Sequence, residues 1–450
     1  MLHQRLRILI PLLLAALPSL AAETLSLDGA VRIAEQNSPR VEAASERALA
    51  ARARYRQAMG QLLPSLEVSE VFNRTTSPLE NFGMQLSREE FDPAVMAFPD
   101  QVNHPDALDT WITRVEARLP LFVGGRMVTG IKQAGLMATA GESERRHTLE
   151  EVRLEAMRSW FDLDQVREMV SLLEKAEATT VAHVDKARAY EEEGFLVRSE
   201  VLRAEVYLAE VRDLLNSARE GALLAEAALN LRLGLDQDTH WELGETPPLP
   251  VQVPELQALV TRALESRGDL DAARQRTEAG RLTSRSSLGA LLPSAGVVAR
   301  YDMFDKDPLG SNASSWSVLA ALSWKLNLGG SEVSAWQAAR HEARAYTADI
   351  GRFEEGVRLQ VRQAHSALGL ALDQQRTAAL ALDSGRENLR ILEERFTQGV
   401  AGTLDVLDAR TALRELEIRE LVARHDAFVA ARSLELLSGA SLNPVNNEGE

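Results

Sequence analysis

The chain has 450 residues, 45% of them hydrophobic and 26% charged, a globular rather than a disordered balance. Its formal net charge of −16 makes it a poor partner for nucleic acid. It has no cysteine, which excludes disulfides, thiolate metal sites and a lipid-modified N-terminal cysteine, so any membrane attachment has to come from the fold itself.

Residues 1–22 read as a secretory signal peptide: Arg5 and Arg7 precede an apolar run from Ile8 to Leu17, followed by the small residues Ser19, Ala21 and Ala22. That run is too short to span a bilayer, and no later run of about 18 apolar residues exists. Cleavage after Ala21 or Ala22 delivers an exported chain whose net charge moves from −16 to −18.

Proline placement partitions the exported chain, because a proline inside a helix costs about 3 kcal/mol. None occurs between Pro120 and Pro247 or between Pro308 and Pro444, and both windows are rich in Ala, Leu, Glu and Arg. Each reads as long helices interrupted at a glycine turn, Gly194 in the first and Gly399 in the second. Helices over Arg126 to Glu192 and Ser331 to Phe396 would each be roughly 100 Å long.

The chain also matches itself. At an offset of 205 residues, Trp111 falls on Trp316, Gly124-Gly125 on Gly329-Gly330, and Gly194 on Gly399. At an offset of 229, Leu62-Leu63-Pro64-Ser65 meets Leu291-Leu292-Pro293-Ser294. The two offsets differ by 24 residues, which places one insertion in the first copy between Phe72 and Trp111. The expected organisation is a first repeat over 23–245, with a β-hairpin near 65–122 and a helical tip near 194. A Pro-rich linker spans 246–255. A second repeat covers 256–439, with a hairpin near 294–328 and a tip near 399. A polar tail occupies 440–450.

The strands alternate with period two. Trp111, Thr113, Val115, Ala117, Leu119 and Leu121 share one face against Ile112, Arg114, Glu116 and Arg118. Trp316, Val318, Ala320, Leu322, Trp324 and Leu326 repeat the pattern, so Trp111, Trp316 and Trp324 are candidate membrane-interface aromatics. Half of a soluble sandwich would show the same alternation. The segment from Asn73 to Asp109, with four prolines, reads as a long loop, and Phe304 to Ser314 as a short one. Four strands cannot close a barrel, so oligomerisation has to supply the rest.

No catalytic or metal constellation emerges, since no two histidines are spaced three or four apart. Gly124-Gly125 and Gly329-Gly330 lack phosphate-loop spacing and sit where a tight bend is needed. Asp405 and Asp408, just after the Gly399 turn, lie three apart on one helix face, and Glu200 holds a related place after Gly194. Such acids also complement a helix N-terminus.

Three motifs together carry a resemblance. They are Ala34-x-x-Asn37-x-Pro39 before Leu62-Leu63-Pro64, Leu119-Pro-Leu-Phe-Val-Gly-Gly125, and Gly399 followed by Asp405-Val-Leu-Asp408-Ala409. The chain resembles the TolC-like outer-membrane efflux proteins over nearly its whole mature length. The resemblance implies a mostly α protein with a membrane β-barrel. Long antiparallel helical hairpins would form a periplasmic α-barrel, and four strands per protomer would complete a twelve-stranded barrel in a homotrimer. It implies a non-enzymatic exit duct in outer-membrane lipid, working with a periplasmic adaptor and an inner-membrane pump or ABC transporter, without a cofactor. The transported substrate is not legible. The competing expectation is a periplasmic coiled-coil scaffold without a pore.

The resemblance also implies stacked rings of Asp405 and Asp408 at the tip, favouring cations and open to divalent block. Related channels latch this tip with an aspartate, a tyrosine and an arginine. Those positions here read Glu200, Phe396 and Ala401, so that latch cannot form in the same way, and Arg198 or Arg203 are the candidate substitutes.

Overall fold

The computed structural model describes residues 24–249, 253 and 255–439. The expected signal peptide and tail lie outside the described residues, as does part of the expected linker.

A two-residue strand β1 (Thr24–Leu25) leads into α1 (Leu27–Asn37), whose N-cap Ser26 accepts a hydrogen bond from the Gly29 amide at 3.0 Å. Pro39 opens α2 (Pro39–Gly60) at the first-turn position where its missing N–H costs nothing. Strand β2 (Ser65–Thr75) comes next. The segment expected as a long loop holds two short helices, α3 (Pro78–Ser87) and α4 (Pro99–Asn103), with a 3-10 turn Pro93–Ala97 between them. Pro78, Pro93 and Pro99 start these turns rather than preventing them, which a reading of proline as a breaker overlooks.

Strand β3 (Leu108–Val123) feeds α5 (Arg126–Glu192), which occupies the stretch bounded by the glycine pairs and turns; α6 (Arg198–Leu233) returns beside it. Strand β4 (Glu242–Leu243) pairs in parallel with β1. Then come α7 (Leu256–Ser266), α8 (Gly268–Gly289), β5 (Ser294–Asp305), β6 (Ala313–Ser323), α9 (Ser331–Thr397) and α10 (Thr403–Leu437). Helices α5 and α9 have 67 residues each, hence roughly 100 Å each. Among the described residues no helix is long and apolar enough to cross a membrane.

Helices this long cannot share one compact core, and burial is distributed along them. One cluster joins Leu25, Ala30 and Ala34 to Trp160, Phe161, Leu229, Leu233 and Phe428, with the Trp160 indole N–H donating to the Leu25 carbonyl at 2.9 Å. A second joins Leu259, Val260 and Ala263 of α7 to Val357, Val361 and Leu368 of α9. A third, near the tip, joins Val184, Ala204, Tyr207 and Val211 to Leu407 of α10. Each buried leucine or phenylalanine contributes about 1.5–3 kcal/mol.

The four long strands form one antiparallel sheet in the order β2-β3-β5-β6. Its register places Val68, Val115, Tyr301 and Trp316 on one side, and Arg114 opposite Asp302 and Glu116 opposite Arg300 on the other. Among the described residues, strands β2 and β6 each have one edge without a partner. Strand β6 stops at Ser323, short of the expected hairpin end near 328, so Trp324 and Leu326 lie beyond it.

Candidate functional site

The tip is built by two matching helix endings. Gly194 (φ 80°) and Gly399 (φ 74°) take left-handed backbone after α5 and α9. Beyond them the Phe195 amide donates to the Tyr190 carbonyl at 2.8 Å, and the Val400 amide to the Arg395 carbonyl at 2.9 Å. This is the glycine-terminated helix end that satisfies the last carbonyls and reverses the chain.

Asp405 and Asp408 are exposed, as is Leu404, whereas their neighbours Thr403, Val406, Leu407 and Ala409 are buried. The two carboxylates therefore share the face of α10 turned away from the rest of the protomer. Asp405 also accepts the Gly402 amide hydrogen bond at 2.9 Å, so its carboxylate caps α10 as well. Glu200 is half-buried and paired with Arg203 at 3.3 Å, while Arg198 pairs with Glu191 at 3.2 Å. Both candidate latch arginines are thus engaged within the α5–α6 hairpin, and neither pairs with α9 or α10.

Phe396 is buried, 7% exposed, on the last turn of α9, with its ring 5.5 Å from that of His183 and 6.2 Å from that of Tyr190. Burial, with the charges of Arg410 and Lys186, pushes the His183 pKa down to about 4. His183, Lys186 and Tyr190 do not stand out in the sequence. Their three-and-four spacing marks a shared face of α5, but nothing in it says that Phe396 completes that face.

Above the tip, a cavity of about 660 Å³ opens between α5, α9 and α10, lined in part by Glu168, Lys175, Arg386, Arg414, Glu417 and Glu420. Burial raises the Glu417 pKa against the opposing pull of Arg386 and Lys175. Higher still, His425 Nε2 lies 2.9 Å from Asp162 Oδ1, joining α10 to α5. Burial would lower the pKa of this histidine, but hydrogen bonds and charge from Asp162 and Asp426 outweigh it and raise the value.

On the sheet, Trp111 packs on Phe72 with ring centroids 4.9 Å apart, and Trp316 is 76% exposed opposite Tyr301. Trp324 does not continue that row. Its indole N–H donates to the Leu291 carbonyl at 3.0 Å, tying the end of β6 to the turn between α8 and β5. The opposite face carries Arg114–Asp302 at 2.7 Å and the Glu116 pairs with Arg118 and Arg300.

The sequence profile described as outer membrane efflux protein matches residues 30–235 and 259–440. The chain belongs to the outer membrane efflux protein family. A curated relative, the outer membrane efflux protein BepC of Brucella suis biovar 1 (strain 1330), is 25% identical over 340 residues, covering 73% of this chain and 72% of BepC. The solved outer membrane protein VceC of Vibrio cholerae superposes with a TM-score of 0.78 at 17% identity, covering 93% of this chain and 97% of VceC. The open-state MtrE outer membrane channel of Neisseria gonorrhoeae gives 0.74 at 16% identity, covering 92% and 89%.

This efflux protein is therefore an outer-membrane channel component with a large periplasmic helical portion, not an enzyme and not a pore-less scaffold.

Proposed function

We propose that three copies of this efflux protein close a twelve-stranded barrel and form the exit duct of a tripartite efflux or type I secretion system, gated at the periplasmic tip. The observation that carries this reading is the sheet itself. Its four strands have an apolar face, an ion-paired face and two open edges on β2 and β6. Exposed edges of this length invite pairing, and four strands are too few to close alone. A ring of three protomers pairs every edge, turns the apolar face to lipid and the charged face to the lumen.

Residues 23–245 and 256–439 act in this reading as two copies of one unit, and the equal lengths of α5 and α9 support that division. At the tip, Gly194 and Gly399 bring two turns per protomer toward the axis. Three copies of Asp405 and of Asp408 then form two acidic rings that attract cations, with Glu200 nearby. A periplasmic adaptor and an inner-membrane pump or ABC transporter supply the substrate and the energy.

Native mass spectrometry of the detergent-extracted protein, followed by planar-bilayer recording, tests this. A trimer with discrete conductance steps is expected. A monomer without conductance would contradict it.

A further inference from the structure

We propose that the tip is held shut by a reciprocal pair of cation–ring contacts, Lys186 with Phe396 and Arg414 with Tyr207, in which each helical hairpin gives one cation and one ring to the other. The proposal rests on the reading of the tip as the gate. It answers what replaces the tyrosine and arginine latch that Phe396 and Ala401 make unavailable.

The first contact joins α5 to α9. Lys186 Nζ lies 5.5 Å from the Phe396 ring centroid and 5.6 Å from that of Tyr190, and donates to Thr397 Oγ1 at 3.3 Å. Among the described residues no carboxylate lies within ion-pair reach of Lys186. The second contact joins α10 to α6: the Arg414 guanidinium carbon lies 5.3 Å from the Tyr207 ring centroid. Tyr207 belongs to the apolar cluster with Val184, Ala204, Val211 and Leu407, so its ring is held in place by packing.

Several features suit these contacts to a gate. Phe396 is 7% exposed while Arg395, Thr397 and Gln398 beside it are exposed, and its ring meets His183 and Tyr190 of the facing hairpin, contacts that are lost if the hairpins part. His183 packs tilted against the same ring and stays neutral near pH 7, so it adds no positive charge beside Lys186. Arg410, whose charge also acts on His183, is paired with Glu393 across α9 and α10. Cation–ring contacts are individually weak and reversible, which lets a docking partner break them.

The test uses full-length protein in planar bilayers. The double variant Lys186→Met/Arg414→Met keeps both side-chain stems and removes both charges. Its occupancy of the high-conductance state is expected to rise about tenfold, with oligomeric state and thermal melt unchanged. The charge-retaining Lys186→Arg/Arg414→Lys should stay closed. Unchanged gating in the methionine double variant overturns the clasp. A second arm separates that outcome from failure of the gate itself. The chain has no cysteine, so Lys186→Cys/Thr397→Cys treated with a short bis-maleimide ties α5 to α9 alone. A fall in conductance on tying keeps the tip as the gate even if the clasp fails, and no fall removes the gate reading too.

Discussion

The Gly402 amide donates to Asp405 Oδ2 at 2.9 Å, whereas Asp408, one turn on, makes no such bond to the backbone and lies exposed. One acid therefore serves both the helix start and the proposed ring, and the other only the ring. Asp405→Ala should lower the stability of the tip by about 1 kcal/mol through the lost cap. Asp408→Ala should stay within about 0.5 kcal/mol of the parent. Hydrogen exchange at residues 403–410 separates the two, and equal protection in both variants would remove the distinction.

Gly124 and Gly289 meet backbone to backbone where β3 turns into α5. A Cβ on Gly124 would stand 1.9 Å from the Gly289 carbonyl oxygen, at a φ of 66°. Gly124→Ala should therefore cost several kcal/mol and reduce the assembled protein recovered from the outer membrane. Gly125→Ala faces open space at a φ of 76° and should cost only about 1 kcal/mol. Gly329→Ala, with open space and no positive φ, should be neutral. Thermal melts of the three variants give the ranking directly.

Arg88 is 1% exposed in the insertion between β2 and β3, where it donates to the Asp109 carbonyl at 2.8 Å and pairs with Glu90. Glu90 in turn pairs with Lys306 at 3.1 Å, reaching the loop between β5 and β6. Arg88→Ala leaves buried groups without their partner, a change of about 2–4 kcal/mol confined to this segment. Limited proteolysis should cut within 88–107 in the variant and not in the parent, while the helical melt is unmoved.

Two histidines give opposite pH dependences. The His183 pKa is lowered to about 4, so protons bind the unfolded form first as pH falls below about 6.5. The stability it contributes is complete above that value and is lost toward pH 4, by about 2 kcal/mol between pH 7 and pH 5. The His425 pKa is raised by Asp162 and Asp426 against burial, so its contribution is complete below about 6.5 and fades as pH rises through the raised value. His183→Leu should flatten the acid limb of a stability–pH curve, and Asp162→Asn the opposite limb. Parallel curves for parent and variants would contradict both assignments.

The helices are legible in the sequence because glycine and proline mark their ends. The span from Arg126 to Glu192 follows from Gly124-Gly125 and Gly194, and α9 extends only one residue past the expected Phe396. The strands are legible from period-two alternation, although it runs past Ser323 because Trp324 and Leu326 keep the rhythm after the ladder stops. The insertion reads as plain loop because its prolines, which in fact initiate turns, look like breakers. At the tip, the acids and glycines stand out locally. Lys186, Tyr190, Tyr207 and Arg414 do not, because their meaning depends on rings and cations supplied by the other hairpin, at least 200 residues away in sequence.

Single-channel recording of Asp405→Asn/Asp408→Asn tests whether the proposed channel selects cations at its acidic tip. Asparagine keeps the Gly402 cap and removes the charges of the proposed rings, so assembly should be as before while cation preference and block by divalent ions largely disappear. A double variant with the parent's ion preference and divalent block would contradict an acidic selectivity ring at the tip.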